Sequence, residues 1–136
     1  MENIYELSIR LLSGSYDFND DIDIFKQYNT KIFKKDENIF NNNKNSSFKA
    51  KHNILLIDNI YKEQISNICV DDFNLIHQLI ELLKQKYSKY QDIKYEFYIS
   101  CSINNNQFGF EIDNMLLNIL SKYNYSIIIS GIAIFD

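Results

Sequence analysis

The chain has 136 residues, 46% of them hydrophobic, with no proline, three glycines and a net charge of −4. This composition excludes collagen-like and proline-rich architectures and argues against global disorder, and the length suits one domain spanning residues 1–136. The net negative charge opposes binding of nucleic acid or anionic membrane through the whole surface, which leaves only local basic patches for that purpose.

The first half of the chain carries mainly strand patterns. Residues 4–12 alternate between apolar and polar side chains, which predicts a half-buried strand. After the break at residues 13–15, the run Asn19-Asp20-Asp21 can cap a short helix. A short strand over 30–35, an Asn-rich loop over 41–47 and a buried strand over 48–58 follow.

The second half begins ambiguously, since residues 60–69 suit either a turn of helix or an irregular crossing. Residues 70–87 then form the clearest helix, with Ile76, His77, Ile80 and Leu83 at helical spacing. Residues 94–103 and 107–112 are predicted to form a hairpin with a polar turn, and Asp113 to cap a second helix. The last strand, over 125–135, is almost entirely apolar, which is typical of the middle of a sheet.

The predicted order is therefore βαββαββαβ. It favours an α+β fold with a mostly antiparallel sheet and helices on one face, a sandwich related to the ferredoxin-like fold.

Four blocks of this pattern resemble a family of small stand-alone bacterial domains of unknown function. They are the first strand ending in Leu12-Ser13-Gly14, the helix over 73–84, the hairpin followed by the Asp113-led helix, and the last strand ending Gly131-Ile132-Ala133-Ile134-Phe135-Asp136. The resemblance implies an α+β sandwich and occasional association with bacterial toxin and immunity loci. The family has no established catalytic residues, so it assigns no site.

An acidic turn is the sharpest local cluster in the sequence, with carboxylates at Asp17, Asp20, Asp21 and Asp23. It begins like a calcium-binding loop, but Ile22 stands where that loop needs glycine and Tyr28 where it needs a bidentate glutamate. We therefore predict no metal site here. The alternatives are a helix-capping turn and an acidic face for a basic protein partner.

A lysine-rich segment over residues 26–51 has the opposite charge. It holds seven lysines against Asp36 and Glu37, a local charge of +5. Phenylalanines lie between these lysines, a combination that proteins use to bind single-stranded nucleic acid. The competing interpretation is a core with a solvated basic loop. The lysines that would bind nucleic acid are Lys31, Lys34, Lys35, Lys44, Lys49 and Lys51.

The remaining chemical groups form no recognisable motif. His52 and His77 lack metal-ligand spacing, and we predict that His77 lies in the core. Cys69 and Cys101 are expected to be reduced core thiols. Glycine-rich phosphate loops and nucleophile elbows are absent from the sequence, so neither a catalytic residue nor a cofactor is predicted.

Together these patterns predict a non-enzymatic binding domain whose partner is another protein, with an immunity-type protein that blocks a toxin as the specific hypothesis. The alternative is a nucleic-acid-binding accessory domain. The start of the sequence has no signal-peptide pattern and no apolar run long enough to span a membrane, which predicts a cytoplasmic protein with no membrane partner. A monomer or a weak homodimer is expected. The strand over 30–35 could pair two copies as an exposed edge, although its lysines oppose such pairing.

Overall fold

Two helices separate three groups of strands along the described chain. The computed structural model describes residues 4–19, 28–36, 50–63, 67–68, 74–103 and 111–133. These residues form β1 (Ile4–Ser13), β2 (Asn29–Phe33), β3 (Asn53–Glu63), β4 (Asn67–Ile68), α1 (Asn74–Lys86), β5 (Lys94–Ile103), β6 (Glu111–Ile112), α2 (Asn114–Lys122) and β7 (Ser126–Ala133).

The main sheet has five strands in the order β2-β3-β1-β5-β7. β1 pairs antiparallel with β3 and β5, and β2 pairs antiparallel with β3, whereas β7 runs parallel to β5. β4 and β6 form a separate two-stranded parallel pair. The predicted α+β class is confirmed, with a mixed sheet. The predicted order of elements and the ferredoxin-like relation are not confirmed.

β1 is the central strand, and its alternating sequence explains why. Leu7, Ile9 and Leu11 are completely buried, while the residues between them project to the other face of the sheet. On β5, Phe97 and Ile99 are buried on the same side as Ile9 and Leu7, with which they pair. The strand predicted over 4–12 is confirmed.

Both helices cover this apolar face of the sheet. α1 buries Ile76, Leu79, Ile80 and Leu83, whose spacing gives one apolar stripe, and all four join the core formed by the strands. α2 contributes two further side chains, Leu116 and Leu120, to the same core. His77 lies beside the stripe and is half-buried rather than part of the core.

The two ends of α2 are closed by local hydrogen bonds. The Asp113 carboxylate accepts a 2.7 Å bond from the amide of Met115, which confirms the predicted N-cap. At the other end Asn124 adopts a left-handed conformation with φ 59°, and the next amide, that of Tyr125, donates to the carbonyl of Leu120. This turn directs the chain into β7.

Three predictions for the strands differ from the structure. Among the described strands β7 lies at the edge of the main sheet, so its predicted position in the middle of the sheet is wrong. Its run of isoleucines reflects a chain with 23 isoleucines rather than burial on both sides, since Ile129 is 52% exposed. β6, the described end of the predicted hairpin, pairs with β4. The segment 60–63 continues β3 instead of forming an irregular crossing.

Some predictions lie outside the described residues. They are the short helix after Asn19, the loop over 41–47, the turn of the hairpin, and the environment of Cys69.

Candidate functional site

The face of the main sheet opposite the helices gathers the polar residues of the central strands. Since side chains alternate along a strand, Glu6, Ser8 and Arg10 of β1 project away from the core that Leu7 and Ile9 enter. We call this side of the sheet the polar face.

The polar face contains a shallow cavity of about 320 Å³. Its volume is at the lower end of the range for ligand and partner pockets in proteins. The described lining combines hydroxyl, charged, aliphatic and aromatic side chains: Glu6, Ser8, Arg10, Phe33, Ile54, Leu56, Asp58, Tyr98 and Ser100.

A partly buried ion pair lies at the centre of this face. Arg10 and Glu96 are direct partners across β1 and β5, and both Nε and Nη2 of Arg10 lie 2.8 Å from Oε1 of Glu96. The Glu96 side chain is only 6% exposed, against 34% for Arg10. The Lys94 ammonium lies 3.9 Å from the other carboxylate oxygen. A carboxylate this deeply buried depends on its cations, because desolvation penalises an unpaired charge.

The guanidinium of Arg10 also contacts an aromatic ring. Its Cζ lies 5.6 Å from the ring centroid of Tyr98, within the range of a cation–π interaction. Arg10 therefore contacts both the Glu96 carboxylate and the ring of the half-buried Tyr98. This arrangement holds Arg10 and Tyr98 in a fixed position at the cavity.

A second polar group lies where β3 departs from regular pairing with β1. Leu7 pairs with Tyr61 and Ile9 with Ile57, so four residues of β3 span the interval that two residues of β1 span. In this irregular stretch the hydroxyl of Ser8 donates a 2.9 Å hydrogen bond to Asp58. Irregularities of this kind often redirect a side chain at a functional site.

A larger cavity, of about 560 Å³, lies at one end of the sheet. Loop residues before β5 and before β7 line it, together with the end of α1. On its wall the Lys84 ammonium lies 4.1 Å from the ring centroid of Tyr95. Burial raises the pKa of Tyr95, and it raises that of Tyr125, whose hydroxyl donates to the carbonyl of Ile80, further still.

Asp92, at the edge of this larger cavity, joins the loops that follow β1 and precede β5. Its carboxylate accepts hydrogen bonds from the hydroxyls of Ser15 at 2.6 Å and Ser13 at 2.9 Å, and from the amide of Ser15 at 3.2 Å. The two hydroxyls lower the pKa of Asp92 below its ordinary value of 3.8 because they stabilise the ionised carboxylate. Asp92 is therefore a structural group whose Oδ2 is already engaged in these hydrogen bonds.

This lowered pKa predicts a pH-dependent contribution to stability. A carboxyl group with a lowered pKa in the folded state stabilises the fold above about pH 4, and this stabilisation is lost as the pH falls through the folded-state pKa. The melting temperature of Asp92→Asn should therefore lie below that of the unaltered protein at pH 6, and the difference should shrink towards pH 2. A difference that stays constant over this range would contradict the prediction.

Only one residue of the predicted acidic turn lies within the described part of the chain. Asp17 is exposed, and its carboxylate accepts a 2.9 Å hydrogen bond from the amide of Asn19. This is a local turn contact in which an aspartate side chain satisfies the backbone two residues ahead. Asp20, Asp21 and Asp23 lie outside the described residues, so the acidic partner face stays a prediction.

The predicted lysines divide in the same way. Lys31, Lys34, Lys35 and Lys51 are exposed, whereas Lys44 and Lys49 lie outside the described residues. Among these four, Lys31 is next to two residues that line the cavity. It pairs in register with Leu56 on the polar face, and its ammonium is 3.9 Å from Asp58. One candidate lysine thus lies beside residues that line the cavity.

His52 and Cys101 lie towards opposite ends of the sheet. His52 is exposed immediately before β3, at the end of the sheet where Asn53 pairs with Ser13. Cys101 is buried near the opposite end, and burial raises the pKa of its thiol. Its predicted position in the core is confirmed.

The described residues hold neither a candidate metal site nor a helix suited to cross a membrane. In the described ranges, no group of three or more histidine, cysteine, aspartate and glutamate side chains is arranged to hold a metal ion. No helix in this part of the chain has the length and apolar character needed to cross a membrane.

Sequence reasoning missed the residues that meet at the polar face, Arg10, Asp58, Glu96 and Tyr98. The available signal was the polar half of each alternating strand, which identifies the side chains that share a face within one strand. Neither protein-family models, curated proteins nor solved structures match this chain, so the geometry of the polar face carries the functional argument alone.

Proposed function

We propose that this protein is a non-enzymatic binding protein that holds another protein against the polar face of its main sheet. The observation that carries the proposal is the arrangement of Arg10, Tyr98 and Phe33 around one cavity on a face that the helices leave free. Arginine and aromatic side chains contribute most of the energy in protein interfaces. In this proposal the protein acts in the cytoplasm and needs no cofactor.

The fixed geometry of the face supports a protein partner. Arg10 is held by Glu96 and packs on Tyr98, so little side-chain freedom remains to be lost on binding. The aliphatic side chains Ile54 and Leu56 provide an apolar area between the charged groups. Such a mixture of apolar centre and paired charges is typical of protein interfaces.

The charges on the face fit a partner that carries both signs. Arg10, Lys31 and Lys94 lie beside the acidic groups of Asp58 and Glu96. A surface of alternating sign selects a partner with the complementary pattern rather than a uniformly charged one. The family resemblance makes a protein toxin the first partner to test, with the domain covering the toxin's own site.

A second candidate, binding of single-stranded nucleic acid, draws on β2. This strand places Lys31 and Phe33 on the same face as Arg10 and Tyr98, and proteins bind single strands with aromatic and basic side chains together. The three cations are already paired with carboxylates, which weakens attraction for phosphates. We therefore place this candidate second.

The test compares two arginine substitutions on opposite sides of the sheet. Leu56→Arg inserts a long charged side chain into the cavity, and Gln78→Arg inserts the same side chain at an exposed position of α1. Tagged versions are used to capture partners from a lysate of the source cells, with and without nuclease. Affinity for the captured protein is then measured with purified components.

We expect one protein partner that binds the unaltered chain and Gln78→Arg equally and binds Leu56→Arg at least about tenfold more weakly. Melting curves establish that both variants are folded. Equal binding by the two variants would remove the polar face as the interface. Capture that is lost with nuclease and with rising salt would favour the nucleic-acid candidate.

A further inference from the structure

The last strand of the main sheet, β7, has an outer edge that no described strand covers. On its inner side β7 pairs with β5 from Ser126, opposite Glu96, to Ala133, opposite Ile103. On its outer side, no other strand among the described residues pairs with it. A strand in this position presents a row of backbone donors and acceptors to any chain that can pair with them.

The two edges of the sheet differ in how they are protected. β2, at one edge, has five residues, carries the exposed Lys31 and is followed by Lys34 and Lys35. Charged residues and short length are the usual means of preventing edge pairing. β7, at the other edge, has eight residues, Ser-Ile-Ile-Ile-Ser-Gly-Ile-Ala, with neither charge nor proline.

Exposed aliphatic side chains lie along the unprotected edge. Ile127 is 36% exposed and Ile129 is 52% exposed. They pair in register with the buried residues Phe97 and Ile99, so they lie on the side of the sheet that carries the helices. The core under α1 and α2 thus continues outward to the edge of the sheet, where it ends at two incompletely covered isoleucines.

We propose that β7 pairs antiparallel with β7 of a second copy of this chain, so that two five-stranded sheets join into one across a two-fold axis. Two-fold pairing brings each residue of a strand opposite a residue of the same strand. A strand without charged residues meets no like-charge repulsion in such a pair. An uncharged edge also accepts other uncharged strands, so the choice of a second copy rests on the register of β7 with itself.

The sequence of β7 also suits a particular register. With Ile129 on the two-fold axis, Ile127 of one copy lies opposite Gly131 of the other. Gly131 is exposed and has no side chain, so an isoleucine can lie over it. The aliphatic side chains of the two copies then form one continuous apolar strip on the helix side of the joined sheet.

The dimer leaves the polar face available. The cavity lies over β1, β2, β3 and β5, with no described lining residue on β7. Dimerisation and partner binding are therefore separate properties, and failure of one proposal leaves the other standing. This proposal places the edge that pairs two copies at β7 rather than at the strand over 30–35.

Sedimentation equilibrium of the purified full chain tests the proposal over about 1 to 100 µM, where a moderate dimer dissociates. The mass should rise from 16.2 kDa towards twice that value. Ile129→Lys places two ammonium groups together on the axis and should weaken the dimer at least about tenfold. Leu82→Lys, at a 48% exposed position of α1, is the matched control and should dimerise normally.

Amide hydrogen exchange of the unaltered chain adds a readout that needs no variant. We expect amide protection within residues 126–133 to increase with protein concentration, because the outer edge becomes hydrogen-bonded in the dimer. A chain that stays monomeric at 100 µM, a dimer that Ile129→Lys leaves intact, or equal loss of dimer in both lysine variants would each overturn the proposal.

Discussion

Replacing Leu83 by alanine should lower the free energy of unfolding by about 2–5 kcal/mol, the range for buried leucines. Leu83 is completely buried on the inner face of α1, where it joins the core under the sheet. The substitution removes the apolar contacts of the side chain and leaves a cavity that the neighbouring strands fill only in part. We expect a fall in melting temperature of roughly 10 °C or more, measured by circular dichroism.

The preceding residue of α1, Leu82, supplies the control. Leu82→Ala makes the same chemical change one position earlier, where the side chain is 48% exposed. This substitution should lower the free energy of unfolding by less than about 1 kcal/mol, because little buried apolar surface is lost. Comparable losses in the two variants would mean that α1 does not pack on the sheet through the stripe that includes Leu83.

Replacing Arg10 by methionine should lower the free energy of unfolding by about 1–3 kcal/mol, because it leaves the buried Glu96 carboxylate without its main cation. Arg10 holds that carboxylate through two contacts of 2.8 Å, while Lys94 remains only at 3.9 Å. The cost should be smaller than for a completely buried pair, since the Arg10 side chain is 34% exposed. Urea unfolding of the variant at pH 7 measures it.

The double variant separates the charge from the packing. When Glu96→Gln is added to Arg10→Met, no buried charge is left unpaired, so part of the lost stability should return. A double-mutant cycle with Glu96→Gln alone should give a coupling energy of about 0.5–3 kcal/mol. Additive losses would show that Arg10 and Glu96 do not act as a pair.

Local patterns in the sequence predicted those elements whose two faces differ. β1 and α1 were predicted close to their observed bounds because each has one apolar and one polar side. Asp113 was identified as a helix cap because capping is a contact within a few residues. In these cases the information lies in consecutive residues, which a single sequence displays.

Patterns failed where position in the sheet decides burial. The isoleucine run of β7 is compatible with a central strand and with an edge strand. Only the order of the strands in the sheet, in which β7 pairs with β5, distinguishes these two positions. The polar face depends on the same kind of information. Ser8 and Arg10 visibly share one side of β1, but their contacts with Asp58 and Glu96 require strands that are 50 and 86 residues away.

The wide separation between β1 and β5 also has a consequence for how the chain folds. The central strand of the sheet precedes its partner by 86 residues at Arg10 and Glu96, so β1 cannot complete its pairing during synthesis until β5 has emerged. Closing such a long loop costs entropy before any contact is gained. Folding should therefore be slow for a domain of this size, in the millisecond to second range of sheets built from distant strands. Until β5 arrives, the apolar side of β1 is exposed to other nascent chains and to chaperones.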